Sequence, residues 1–348
     1  MHVLLTGASG YVGAAILDRL VSSGCAVRVL ALPETVERLV HRDRIEVVEG
    51  SLADGAILTR AVQGIEVVLH FAAALPSQAT SDIIAINVRG TESLLEASVA
   101  SGVRRFVVAS TMAVYDPVLR RSRWPIREDS PLLAPGRRAR SHYPQSKIDV
   151  ENLVRRFHER TGLEYVIIRF PIVYGPGAPL VENYIQMVLS RPSLITSGAS
   201  LAPGMQWIQA RDLAAAADLA RTRAEAANEV FNVAGGVLFS MRDMLECIAE
   251  QNGLALPPVR ERGAILTAMS ERLARAPGLK YDIGKAERLL GFRPQANLRE
   301  SLKEIAADMA RRGLLPDALP SEPPLGGRSM FQALAALVSS RSRRRTVV

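Results

Sequence analysis

Thr6-Gly7-Ala8-Ser9-Gly10-Tyr11-Val12-Gly13 decides the fold. The apolar run 2–6 leads straight into it, and a helical pattern over 11–23 leads out. Glycines at every third position allow a tight turn and let the backbone come close to an anion. The unpaired N–H groups at the start of the following helix then point at that anion. A glycine triplet is a weak signal by itself, and the spacing here is G-x-x-G-x-x-G rather than G-x-G-x-x-G. Its place at the first strand-to-helix turn gives it meaning. The expected occupant is the pyrophosphate of a dinucleotide, touched by Gly7, Ser9, Gly10, Tyr11, Val12 and Gly13.

Outward from this turn, further apolar runs occupy 26–30, 45–49, 67–71, 106–110, 165–169 and 230–233. They are nearly continuous in apolar residues, as parallel strands covered on both faces require. Helical patterns over 53–62, 87–101 and 145–160 lie between most of them. The alternation predicts an α/β fold, a Rossmann-type doubly wound parallel sheet. After Gly175 the pattern loosens, and 180–189 and 241–250 read as helices outside strict βαβ units. The expected organisation is an NAD(P)-binding Rossmann domain over 1–175, to which 208–234 returns. A smaller discontinuous C-terminal substrate lobe takes 176–207 and 235–314. Residues 315–348 form a Pro- and Gly-rich linker, a short apolar segment at 330–338 and a basic tail.

The composition narrows the class. Of 348 residues, 48% are apolar and 22% charged, which supports a large core and argues against general disorder. Two cysteines, Cys25 and Cys247, make neither a disulfide framework nor a metal cluster. No metal is therefore expected, and the cytoplasm is the expected compartment. The opening MHVLLTG has no basic flank or cleavage-type site, and no apolar run approaches the roughly 20 residues of a membrane span. The net charge of +8 comes without a stacking motif or recognition helix, so nucleic acid is not an expected partner.

Tyr143 and Lys147 stand four residues apart inside a helical pattern, which puts them on one face a turn apart. A free phenol, with a pKa near 10, is a poor base at neutral pH. A neighbouring ammonium stabilises the phenolate and lowers that pKa, so the tuned tyrosine can exchange a proton with a substrate hydroxyl or carbonyl.

The ordered motifs together resemble the extended short-chain dehydrogenase/reductase family, also called the NAD-dependent epimerase/dehydratase family. They are the turn at 6–13, His70-Phe71-Ala72-Ala73-Ala74, Asn87-Val88-Arg89-Gly90-Thr91, and Ser110-Thr111-Met112-Ala113-Val114-Tyr115. Tyr143-Pro144-Gln145-Ser146-Lys147, the run from Arg169 to Gly177 and Leu289-Leu290-Gly291-Phe292-Arg293-Pro294 complete the set, covering about residues 1–310. The resemblance implies NAD or NADP as cofactor and Thr111, Tyr143 and Lys147 as catalytic residues. Lys147 would also hold the nicotinamide ribose, and Thr111 would hydrogen-bond the reacting oxygen. Further cofactor contacts implied are Ser51, Leu52, Ala72, Ala73, Ser110, Pro171 and Val173. Asn87 would bind cofactor or cap its helix. A homodimer through helices flanking the sheet is implied as well.

Departures from the family pattern bear on the substrate. The resembling sugar-nucleotide 4,6-dehydratases carry an Asp-Glu pair where this chain has Met112 and Ala113, which transfer no proton. The epimerases place an Asn where Ile172 stands and a diphosphate-binding Arg where Met205 stands; here Arg211 precedes Asp212 instead. The second strand ends Val29-Leu30-Ala31-Leu32-Pro33-Glu34, with neither a clean acid for NAD nor an arginine for NADP, since Arg28 falls mid-strand. The leading expectation is an NAD(P)-dependent oxidoreductase acting on an alcohol or carbonyl. An epimerase is the alternative, and a non-catalytic dinucleotide-binding sensor or scaffold is a third reading.

Two basic stretches remain. Arg120, Arg121, Arg123, Arg127, Arg137, Arg138 and Arg140 lie in 117–140 against Glu128 and Asp129. They read either as a solvated loop or as a mouth for an anionic small-molecule substrate. In the tail, Arg341, Arg343, Arg344 and Arg345 follow the apolar 330–338, giving either a frayed end or a weak contact with anionic membrane.

Overall fold

The computed structural model describes residues 1–121, 125–134, 142–190, 204–240, 243–244, 246–247, 250 and 278–315, with only the backbone at 120–121 and 187–190. Arg123, Arg137, Arg138, Arg140, half of 241–250, and the tail beyond 315 lie outside the described residues.

The apolar runs become strands because each is covered on both faces. They are β1 (His2–Thr6), β2 (Ala26–Ala31), β3 (Glu46–Glu49), β4 (Val67–His70), β5 (Arg105–Thr111) and β6 (Glu164–Phe170). Short strands β7 (Val173–Tyr174), β8 (Met205–Gln206) and β9 (Ile208–Gln209) come next, then β10 (Glu229–Asn232) and β11 (Leu238–Phe239). The main sheet runs β3-β2-β1-β4-β5-β6-β10, and every pairing in it is parallel. The order reverses between β1 and β4, and ligands of such sheets sit beyond the carboxyl ends of the strands at that reversal.

Side chains alternate across each strand, so two cores form. Val3, Leu5, Val29, Leu69 and Ile168 pack with Ile16, Leu17 and Leu20 of α1 (Tyr11–Ser22). They share that face with an alanine-rich helix from later in the chain. On the other face Leu4, Leu30, Val68 and Phe106 meet Leu58 of α2 (Gly55–Val62). Leu94 and Leu95 of α4 (Gly90–Ala100) and Leu153 and Phe157 of α5 (Tyr143–Thr161) complete that layer. Each such aliphatic side chain stabilises the fold by about 1.5–3 kcal/mol.

The helix expected to begin at Asn87 begins earlier. It enters as α3 (Thr80–Asp82), widens to a π-helical stretch over Ile83–Arg89 and continues as α4. Asn87 therefore sits within a helix and cannot be its N-cap.

A separate core joins Tyr174, Val181, Tyr184 and Ile185 to Trp207, Phe239, Leu302 and Ile305. It is built from α6 (Pro179–Ser190), the β8–β11 pair and α8 (Leu298–Arg311). Residues 208–234 contribute α7 (Ala210–Thr222), which packs beside α1, and β10, the last strand of the main sheet. Within 235–314, assigned from sequence to the lobe, Ala286, Leu290 and Phe292 pack instead into the core beneath α1 and α7. Among the described residues no helix is long and apolar enough to cross a membrane.

Candidate active site

Gly7 has φ +79°, and a Cβ there would fall 2.6 Å from the Ala72 nitrogen, so only glycine lets β1 turn under the loop after β4. At Gly13 a Cβ would stand 2.0 Å from the Gly7 carbonyl oxygen; its absence lets α1 close on the turn. Gly10 is exposed and forms the N-cap of α1 with no side-chain hydrogen bond. Three other helices carry a side-chain cap: Asp54 accepts from Ala56 and Ile57, Gln209 from Arg211, and Asn297 from Glu300. The start of α1 is thus left open to an outside anion, and the turn suits a pyrophosphate in both shape and donors.

A buried hydrogen-bond chain leads from this turn to α5. Thr91 Oγ1 donates to the Asn87 carbonyl at 2.5 Å and so accepts from His70 Nε2 at 2.9 Å. His70 Nδ1 then accepts from Thr6 Oγ1 at 2.7 Å, and Thr6 Oγ1 accepts from Ala72 N at 3.2 Å. Only neutral His70 with its proton on Nε2 satisfies this pattern. Burial, with the nearby Lys147 charge, pushes the imidazole down to about 3. Asn87 accepts from Ala74 N and donates to Ala74 O and Ser146 Oγ; Ser146 Oγ donates to the Tyr143 carbonyl at 2.8 Å. The Asn87 side chain thus ties Ala74, in the loop after β4, to Ser146 near the start of α5.

Tyr143 is the first residue of α5, and Lys147 lies one turn on, its ammonium 5.8 Å from the Tyr143 ring centre. Lys147 is buried and donates to the Ala109 carbonyl of β5 at 3.0 Å. Burial lowers its pKa to about 8, against the field of Glu151, which raises it. The expected lowering at Tyr143 is reversed, because burial pushes its phenol up to about 12. Desolvation outweighs an ammonium that is directed at a backbone carbonyl.

Ser110 and Thr111 end β5 on opposite faces. Thr111 Oγ1 accepts from Ala113 N at 3.2 Å, the local role a strand-end hydroxyl commonly takes, and its O–H can still donate. Ser110, expected to contact the cofactor, donates to Glu151 at 2.6 Å within a buried network. Arg169 forks onto Glu151 at 2.8 and 2.6 Å and also donates to Tyr115 Oη, which donates to Asn232. Glu151 and Asn232 are members of this network that sequence reading missed. The (i, i+4) spacing of Lys147 and Glu151 was the available signal for the first.

The other expected contacts take varied places. Ser51 Oγ accepts from Ala53 N, and Leu52 rests against Gly90. Val173 pairs with Ile208 in a short ladder, and Pro171 follows β6 half-buried. Tyr11 starts α1, but its ring leaves the turn and packs against the second core beside Gly175. Arg28 donates to the Ala61 and Gln63 carbonyls at the end of α2, far from any ribose role, and Glu34 is exposed in the 3₁₀ helix Pro33–Arg38. On the substrate side Met112 is buried, Ala113 exposed, and Ile172 and Met205 pack against the second core.

Comparison with known proteins gives a consistent picture. Residues 3–234 match the NAD dependent epimerase/dehydratase family. The chain is 27% identical over 323 residues to a dTDP-glucose 4,6-dehydratase of Streptomyces antibioticus, covering 87% of this chain and 90% of that protein. It is 28% identical over 318 residues to a UDP-glucose 4-epimerase of Streptomyces lividans, covering 84% and 91%. A short-chain dehydrogenase/reductase superfamily protein of Agrobacterium tumefaciens, solved with bound NAD, is 28% identical with a TM-score of 0.69, covering 90% and 98%.

Proposed function

The chain belongs to the NAD-dependent epimerase/dehydratase family, and from this premise we propose that it is an NAD-dependent oxidoreductase interconverting an alcohol and a carbonyl. The supporting observation is that Tyr143 and Lys147 stand one turn apart on α5 and that Lys147 reaches Ala109 of β5, the strand that ends at Thr111. NAD, when bound, supplies or accepts the hydride. The open N-terminus of α1 and the 7–13 turn hold its pyrophosphate. Choice of NAD over NADP accords with the end of β2, where Arg28 faces away and no other guanidinium lies within the strand.

The protein's own part is proton handling. Burial keeps the Tyr143 phenol protonated at neutral pH, ready to donate to a substrate carbonyl oxygen. Thr111 donates a hydrogen bond to that same oxygen and fixes it. In the reverse direction the Lys147 ammonium stabilises the phenolate as Tyr143 accepts the proton.

Dehydration is disfavoured, since Met112 and Ala113 carry no proton. An epimerase reading has full-length similarity to the S. lividans enzyme in its favour. Ile172 and Met205 weaken it, because neither can hold a sugar diphosphate. A panel of alcohols and ketones assayed with NAD and NADH separates the two: the oxidoreductase gives net change in reduced nicotinamide, and the epimerase interconverts substrate without it. Full turnover by Tyr143→Phe would remove both.

A further inference from the structure

Of the 43 lysines and arginines in the chain, only Lys147, Lys280, Lys285 and Lys303 are lysines. Lys280 and Lys303 are exposed and Lys285 half-exposed; Lys147 alone is buried. A protein that otherwise uses guanidinium groups places a titratable ammonium where charge is hardest to keep. Its one recorded acceptor, the Ala109 carbonyl, is neutral.

One helical turn beyond it, Glu151 is fully buried. Its carboxylate is fixed from three elements: Arg169 of β6 forks onto it, Ser110 of β5 donates at 2.6 Å, and Arg155 of α5 stands 3.4 Å away. A buried ion pair is weak evidence for stability, because apolar side chains of similar volume often serve as well or better. The carboxylate therefore calls for another reason, and the groups around Lys147 provide it. Tyr143 and His70 face the ammonium and are uncharged at neutral pH, leaving Glu151 as the negative charge beside it.

We propose that Glu151 is a positioning residue of the catalytic helix, its carboxylate pinned by Arg169 and Ser110 so that it keeps the Lys147 ammonium charged and seated on β5. The idea rests on the reading of Tyr143 and Lys147 as the proton-handling pair. It also ties two successive residues of β5 to one helix, Ala109 through Lys147 and Ser110 through Glu151.

Four lysines make the test direct. In protein labelled with ¹³C-lysine, the ε-methylene signals are titrated by NMR, with Lys147→Arg to assign the buried one. In Glu151→Gln the Lys147 midpoint falls by about one pH unit. The alkaline limb of NAD-linked turnover moves down with it, because the ammonium is lost earlier. Glu151→Asp keeps the charge and restores most of the midpoint. Should Arg169, left facing a neutral amide, prevent folding, Glu151→Gln/Arg169→Gln is compared with Arg169→Gln, so that the pair differs in the carboxylate alone and the double variant has the lower midpoint. A Lys147 midpoint unmoved in the folded Glu151→Gln, or equal in the double variant and Arg169→Gln, overturns the proposal. A lowered midpoint with turnover intact in Tyr143→Phe instead overturns the proton-pair reading and leaves the hold of Glu151 on Lys147 standing.

Discussion

Two buried polar regions flank α1, and they differ in completeness. On the cofactor side the chain from Thr6 through His70, Thr91, Asn87 and Ser146 to Tyr143 pairs each side-chain donor with an acceptor. On the other side Tyr11 Oη and Trp207 Nε1 are buried with no hydrogen-bond partner among the described residues. An unpaired buried donor costs about 1–3 kcal/mol, whereas a satisfied chain costs nothing further to hold rigid. The contrast teaches that the half carrying the shared chemistry sets its own geometry before any ligand arrives. The Tyr11–Trp207 side is less settled, and Ile172 and Met205, which pack there, depart from the family pattern.

The most severe test of this contrast is acid. His70 is neutral in the folded chain down to about pH 3 but has an unfolded pKa of 6.5. Below 6.5 the unfolded chain takes up a proton that the folded one refuses. The stability His70 contributes is thus complete above pH 6.5 and shrinks as pH falls, by about 1.4 kcal/mol per unit. In urea unfolding, His70→Asn should be less stable than the parent at pH 7 and converge on it towards pH 4; parallel curves would break the claim that the chain rests on a neutral imidazole.

Gly13→Ala should come next in size. Its Cβ collides with the Gly7 carbonyl, and overpacking of this kind costs about 1–3 kcal/mol. Calorimetric titration should show NAD binding weakened at least about tenfold, the equivalent of 1.4 kcal/mol. In the second region, Asp212 accepts from Gln295 N and Ala296 N and holds the approach to α8. Asp212→Ala should lower stability by about 1–3 kcal/mol while leaving NAD affinity alone; a matching loss of NAD affinity would show the regions to be coupled. The smallest effect belongs to Tyr11→Phe, which removes an unpartnered hydroxyl and should stabilise the chain by up to about 1 kcal/mol. A destabilised variant would mean that this hydroxyl has a partner in solution.

Much of the cofactor half is legible in the chain. β1 and the glycine turn read directly, and α5 could be placed with Tyr143 and Lys147 on one face, because period and spacing are local properties. The start of the helix at 80 was hidden, since a polar, loop-like stretch precedes the apolar part and the π-helical register breaks the 3.6-residue period. The bonds of Asn87 to Ser146 and of Ser110 to Glu151 were hidden as well, because both partners come from a helix many residues away.

By itself the sequence determined the parallel sheet, the anion-binding turn and the pairing of Tyr143 with Lys147, for these follow from alternation, glycine placement and helical spacing within short windows. Only the tertiary structure decided that the Tyr143 phenol is raised rather than lowered, that His70 is held neutral, and that Arg169 grips Glu151. Those outcomes depend on how far water is excluded and on which distant groups arrive at the same point, and neither quantity is written in any local stretch of the chain.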